Sequence, residues 1–194
     1  MDKVLQKQAT IVKGLMHFIE LKHVNEMHGA GMILAARKAI YESSGVRKNW
    51  EAWAEALEGG NYLQDADGGV LNRDIGSYGS AYCCLGVACD LQGVSWRLDK
   101  TNNLYTYSNG NGPTHDCLPD HNLMNKSFGV IKETDSDGGQ DIYLIVKYYQ
   151  DGKYHHTLTC ATALNDDGVS FDTIAQAIRN TYLNPVDERL AKGL

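Results

Sequence analysis

The stretch Tyr82-Cys83-Cys84-Leu85-Gly86-Val87-Ala88-Cys89-Asp90-Leu91 decides how the rest of this 194-residue chain is read. At about 100° per residue, Tyr82, Leu85 and Cys89 share one side of a helix, and Cys84, Val87, Ala88 and Leu91 share another. Only Cys83, Gly86 and Asp90 form a less apolar strip. A helix that is apolar almost all round is one its neighbours bury. The segment Ala81–Leu91 is therefore expected to be a central buried helix, with Ser80 as its N-cap.

Upstream, apolar residues at helical spacing predict three helices. The first runs from Lys3 to about Val24 and the second from about His28 to Tyr41, ended by Ser43-Ser44-Gly45. A short third helix, capped by Asn49, carries Trp50, Trp53, Ala54 and Leu57 and stops at Gly59-Gly60. A loop region rich in Gly and Asp follows, from Asp65 to Gly79.

Downstream, Trp96–Gly112 reads as turns with a short strand, and Pro119 as the first residue of a short helix reaching Met124. The segments Phe128–Thr134, Asp141–Gln150 and Lys153–Ala161 are rich in Ile, Val, Tyr and Thr, the composition of strands. The linkers 135–139 and Asp151-Gly152 are hairpin signals, so an antiparallel meander is expected. Ser170 caps a last amphipathic helix through Leu183, stopped by Pro185. The fold class expected is α+β: N-terminal helices and the buried cysteine helix on a small antiparallel sheet, closed by a C-terminal helix. Residues 1–60 form a helical N-terminal segment and residues 61–194 an α+β core, together one compact unit. No internal repeat is present.

Charge narrows the partners. Residues 61–140 carry 10 acidic against 5 basic groups, and no Lys/Arg cluster exists to neutralise phosphates along a polymer, so nucleic acid is not expected. The longest uncharged apolar run, Ala30–Ala36, is far shorter than the ~20 residues of a membrane helix. The N-terminus has no apolar leader core, and five cysteines, two of them adjacent, do not suit a disulfide framework. Reduced thiols in a cytoplasm are the expectation.

Several constellations carry chemistry. Cys83 or Cys84 near a helix start is a candidate nucleophile, because the helix dipole stabilises a thiolate; its base would come from His115, His121, His155 or His156. His115, Cys117 and His121 are candidate metal ligands in a dense His-x-Cys-x3-His run. Packing explains buried cysteines more simply, so no cofactor is expected. Tyr105, Tyr107, Tyr143, Tyr148, Tyr149 and Tyr154 are placed to stack on a base or sugar, with cross-strand packing as the competing reading. Asn165 and Asp166, ahead of the last helix, are candidate ligand-binding residues that equally suit a turn and cap. Phosphate loops are missing: Gly152-Lys153 runs into Tyr154, and Gly110-Asn111-Gly112 lacks a third glycine.

Trp53-x3-Leu57-x2-Gly60-x-Tyr62-x-Gln64, the Cys-Cys-Leu-Gly-Val-x-Cys-Asp-Leu run from Cys83 and Trp96 resemble a family of small uncharacterised proteins of tailed bacteriophages and some bacterial genomes. Leu164-Asn165-Asp166-x-Gly168-x-Ser170-Phe171-x2-Ile174-Ala175-x2-Ile178 is similar to the same family's closing motif. The resemblance covers roughly residues 53–97 and 158–183 and brings no activity with it. It implies a phage protein acting in the host cytoplasm. The expected function is non-enzymatic binding, either sequestering a nucleotide-derived signalling molecule, as an anti-defence device, or inhibiting a host protein. The alternative is a hydrolase using a Cys nucleophile or a Cys/His metal site. Apolar stripes on the N-terminal helices make homo-oligomerisation a further expectation.

Overall fold

The computed structural model describes residues 24–65, 69–108, 114–131 and 140–184, and side chains at all of these except 24–28, 148–150, 154 and 155. The helix expected over Lys3–Val24, apart from Val24 itself, the linker 135–139 and Pro185 lie outside the described residues.

Helix α1 (Val24–Glu42) turns directly into α2 (Ser44–Glu58). Ser43 is extended and its Oγ accepts the Val46 N–H at 3.3 Å, so it caps α2 and moves its start well ahead of the expected Asn49. Asn49 instead lies inside the helix and donates to the Ser127 carbonyl at 2.9 Å. One face of α2 buries Trp50, Trp53, Ala54 and Leu57, as the periodicity predicts. Each indole also reaches a distant backbone carbonyl at 2.9 Å: Trp50 Nε1 donates to Phe128, and Trp53 Nε1 to Cys84. Such partners keep a buried indole N–H from costing stability.

The main sheet is assembled from short strands: β1 (Leu63–Gln64), β2 (Asn72–Asp74), β3 (Ser80–Tyr82), β4 (Arg97–Asp99), β5 (Leu104–Ser108) and β6 (Thr114–His115). Their order is β1-β3-β2-β5-β4, with β6 on β5, and every pair is antiparallel except β1–β3. The buried helix α3 spans Cys84–Leu91. Ser80 is not its cap, because Ser80–Tyr82 pair as a strand; Cys83 is the cap, its Sγ accepting the Gly86 N–H at 3.3 Å. Gly86 lets α3 seat against β2: a Cβ there would lie 1.7 Å from the Leu71 carbonyl oxygen.

Helix α4 (His121–Phe128) starts two residues later than expected: Pro119 is not its first residue but precedes the cap, Asp120, whose Oδ1 accepts the Leu123 N–H at 3.0 Å. It also runs past Met124, burying Met124 and Phe128, and ends at Gly129 in the left-handed region (φ 67°), so Phe128 does not open a strand. The expected three-strand meander reduces, among the described residues, to a two-stranded ribbon, β7 (Tyr143–Gln150) and β8 (Lys153–Cys160). Asp151 and Gly152 make its turn with φ of 51° and 76°, the type I′ geometry that Asp-Gly favours. A short α5 (Ala161–Asp166), α6 (Phe171–Ile178) capped by Ser170, and a π-helical turn (Arg179–Leu183) are the last described elements.

The result is an α+β fold with one continuous apolar core. Trp50 stacks on Tyr182 with ring centroids 3.9 Å apart and meets Phe128 edge-on at 5.3 Å. Residues of α1, α2, α3, α4, α6 and the ribbon all contribute to that core. Among the described residues no helix is long and apolar enough to cross a membrane.

Candidate functional site

Strand β5, Leu104-Tyr105-Thr106-Tyr107-Ser108, alternates hydroxyl and aromatic residues. Successive side chains of a strand point to opposite faces, so Thr106 and Ser108 share one face and Tyr105 and Tyr107 the other. The register adds to the first face: Arg97 pairs with Thr106, Asp99 with Leu104, and Thr114 with Ser108. An open groove of about 670 Å³ lies there, lined by Ser95, Arg97, Leu98, Asp99, Lys100, Thr106, Tyr107, Ser108 and Thr114. Pockets of ~300–1,000 Å³ suit small-molecule ligands.

The groove's chemistry is ionic and hydroxyl-rich. Arg97 and Lys100 are exposed, and neither forms a salt bridge among the described residues. Asp99 accepts the Thr101 N–H and an Asn102 Nδ2 hydrogen, each at 2.9 Å. Those bonds, the Thr101 amide foremost, hold its carboxyl below the usual range. Cationic side chains beside hydroxyl donors fit an anionic, oxygen-rich ligand such as a phosphate ester.

Of the six tyrosines, Tyr107 borders this groove but does not present its ring to it. The residue is only 2% exposed, its Oη accepts the Asp120 N–H at 2.7 Å, and its ring meets Trp96 and His115 at 5.4 and 5.3 Å. Burial pushes its hydroxyl pKa far up, and it serves as the groove's inner wall. Tyr105 faces away, opposite Leu98 and beside Tyr82. Tyr143 belongs to the separate ribbon, where its carbonyl accepts the Tyr182 hydroxyl at 2.6 Å and its ring packs on Gly29. Tyr148, Tyr149, Tyr154 and His155 are on the same ribbon, with side chains outside the description. The tyrosines therefore divide between two sheets.

Cys83, Cys84 and Cys89 occupy dry places. Cys83, 4% exposed, has its thiol pushed up to about 12, mainly by burial and further by Asp141 and Asp166, against the lowering effect of the Gly86 and Leu85 amides. Cys84 is fully buried, donates its S–H to the Ala161 carbonyl at 3.4 Å and is held well above the ordinary thiol range by burial. Cys89 is likewise raised by burial, its Sγ 3.7 Å from the Tyr107 hydroxyl. At neutral pH such thiols stay protonated, the unreactive form. A second, smaller cleft of about 190 Å³ is lined by Cys83, Cys117, Thr162 and Asp166 among others. Cys117 is exposed there, with a thiol raised to about 11 by desolvation and Asp116.

His115 is buried, its Nε2 3.5 Å from Asp120 Oδ2, and His121 occupies the first turn of α4. Among the described residues no three or more His, Cys, Asp or Glu side chains converge closely enough to hold a metal ion, so His115, Cys117 and His121 are not brought to one point. Asn165 is completely buried, a junction between α5, β1 and α3. Sequence reasoning passed over Ser95, Arg97, Lys100, Thr106, Ser108 and Thr114. The signal available was the period-two placement of Arg97 with Asp99 and of Thr106 with Ser108. Comparison with protein-family models, curated proteins and solved structures found no match to this chain.

Proposed function

We propose that this is a phage-encoded binding protein, without catalysis, that sequesters a small nucleotide-derived signalling molecule of the host in the β4–β5–β6 groove. The observation that carries this reading is the convergence of Arg97 and Lys100 with Ser95, Thr106, Ser108 and Thr114 around one open groove. Two cations match one or two phosphates, and the hydroxyls match a sugar's oxygens. The segment 61–140 that supplies the groove carries 10 acidic against 5 basic groups, which disfavours a long polyanion and leaves a small phosphorylated ligand as the better fit. A cysteine hydrolase has the weaker support, because a nucleophile must be deprotonated and reachable.

The test is a thermal-shift and calorimetric panel of mononucleotides and cyclic dinucleotides on the full chain. A ligand present at 100 times its Kd stabilises the folded state by about 2.7 kcal/mol, a readily measured rise in Tm. Arg97→Ala and Lys100→Ala are each expected to weaken the ligand about tenfold, which roughly halves that stabilisation, without lowering the ligand-free Tm. No shift with any phosphorylated ligand, together with capture of a host protein by the purified chain, would replace this reading with inhibition of that protein.

A further inference from the structure

A row of aromatic rings in mutual contact leads outward from the core beside α3. Tyr107, 2% exposed, meets Trp96 edge-on with centroids 5.4 Å apart; Trp96 meets Tyr82 at 6.3 Å, and Tyr82 meets Tyr62 at 5.1 Å. All of these are contact separations for rings. At the inner end, Cys89 Sγ lies 3.7 Å from the Tyr107 hydroxyl, while Trp96, Tyr82 and Tyr62 are half-buried. One carboxylate joins the two outer donors of the row. Asp90 Oδ1 accepts the Trp96 Nε1–H and Asp90 Oδ2 accepts the Tyr62 hydroxyl, each at 2.8 Å. An indole and a phenol therefore share both an aromatic path, through Tyr82, and a proton acceptor.

Indole and phenol rings each give up a single electron readily, and the oxidised ring then sheds the proton on its nitrogen or oxygen. We propose that Trp96, Tyr82, Tyr62 and Asp90 form a radical relay, which carries a one-electron oxidising equivalent from Trp96 to Tyr62 and away from Tyr107 and Cys89. A radical oxidant takes one electron from Trp96, and the Nε1 proton passes to Asp90 Oδ1, leaving a neutral indolyl radical. Tyr62 then supplies an electron through the Tyr82 ring. Its hydroxyl proton moves to Asp90 Oδ2 as Asp90 returns a proton to Trp96 Nε1. The products are intact Trp96, a Tyr62 phenoxyl radical, the reduced oxidant and one proton, released from Asp90 to water. A small-molecule thiol restores Tyr62 by donating a hydrogen atom and leaves as a thiyl radical. Proton acceptance sets the direction. Tyr82 is bonded by Ser80 and Asn72, and the Tyr107 hydroxyl by the Asp120 amide and Cys89, so of these three phenols Tyr62 alone is bonded to a carboxylate. Burial, and then the Asp90 bond, hold the Tyr62 proton well above the ordinary tyrosine range, so it stays in place until an electron leaves. The relay is independent of the groove.

Pulse radiolysis of the full chain with the azide radical, which oxidises indole in preference to phenol at neutral pH, tests it. Of the three tryptophans Trp50 and Trp53 are 0% exposed, so oxidation begins at Trp96. The indolyl absorption is expected to decay as the phenoxyl absorption rises, at a first-order rate independent of protein concentration. Tyr62→Phe keeps the ring but removes the hydroxyl, and Asp90→Asn removes the proton acceptor. Each should slow the conversion about a hundredfold, the lower end of what a positioned proton acceptor contributes. Tyr78→Phe deletes an exposed phenol outside the row and should leave the rate unchanged. A wild-type rate in Tyr62→Phe, or a wild-type indolyl radical that disappears only by second-order encounter, would overturn the relay. Should Asp90→Asn fail to fold, the wild-type rate in heavy water takes its place: a slower conversion is expected, and an unchanged one would overturn the role of Asp90.

Discussion

Asn165 Oδ1 accepts the backbone N–H of Cys84 at 3.2 Å, joining residues 81 positions apart at the start of the buried helix α3. The same amide donates through Nδ2 to the Asp65 carbonyl at 2.7 Å, and Gln64 Nε2 lies 3.4 Å from Asn165 Oδ1. The first N–H groups of a helix have no partner within it, and Asn165 satisfies one of them in a place water does not reach. Asn165 is thus a fold-holding residue in this structure.

Asn165→Ala strands the Cys84 N–H in the interior and removes a donor from the Asp65 carbonyl. The expected loss is roughly 2–4 kcal/mol of unfolding free energy. Urea denaturation followed by far-UV circular dichroism measures it, and a loss under about 0.5 kcal/mol would mean the junction is dispensable.

Gly86→Ala drives a Cβ into the Leu71 carbonyl, which as backbone has no rotamer to escape by. Leu71 is itself bonded on both sides, its N–H donating to the Asp116 carbonyl at 2.5 Å and its carbonyl accepting the Cys83 N–H at 3.1 Å. A destabilisation of at least ~3 kcal/mol, or failure to fold, is expected. A wild-type Tm in this variant would contradict the close seating of α3 on β2.

Asp141 gives a pH signature. Its Oδ1 accepts the Ile142 N–H at 2.6 Å and faces the Thr162 N–H at 3.5 Å, while Oδ2 accepts the Thr162 hydroxyl. Burial outweighs these bonds and raises the carboxyl above its ordinary 3.8. A carboxyl raised in the folded state binds its proton there first. Its ionisation therefore costs stability above the folded pKa, and that cost disappears as pH falls toward 3.8. Asp141→Asn retains the Oδ1 bonds and places an N–H donor toward the Thr162 oxygen. At pH 7 it should equal or exceed wild type in stability, and wild type should gain on it as pH drops from neutral toward 4. Paired urea melts across that range check the sign, which a wild-type advantage growing with pH would reverse.

Thiol labelling distinguishes the cleft cysteine from the core ones. In native protein at pH 8, iodoacetamide should modify Cys117 first, since it is exposed, while Cys83, Cys84 and Cys89 stay unlabelled until denaturant is added. Peptide mass spectrometry reads the order directly. Rapid native labelling of Cys83 would restore it as a nucleophile candidate.

Arg97→Ala and Lys100→Ala should each weaken a phosphorylated groove ligand by about tenfold, or about 1.4 kcal/mol. Both side chains are exposed, so Tm without ligand should hold. An equal loss of Tm in the ligand-free variants would assign them a structural role instead.

What the sequence determined by itself is what local patterning controls. The all-round apolar run Cys84–Cys89 could only be buried, Trp50 and Trp53 at helical spacing could only face a core, and Asp151-Gly152 prescribed a type I′ turn. Helix starts were legible only where one cap competed, as at Ser170. Ser80 and Asn49 lost their expected cap roles because strand pairing claims Ser80 and a distant carbonyl claims the Asn49 side chain, and the helix expected from Pro119 starts two residues later behind Asp120. The groove was decided by tertiary structure alone. Arg97, Thr106 and Thr114 belong to three strands, and only the register that sets Arg97 opposite Thr106 and Ser108 opposite Thr114 brings cations and hydroxyls to one face. The same alternation turned Tyr105 and Tyr107 away from it. Cysteine reactivity was likewise beyond the sequence, because a thiol's pKa follows from desolvation and nearby carboxylates, and both are set by packing between residues far apart in the chain.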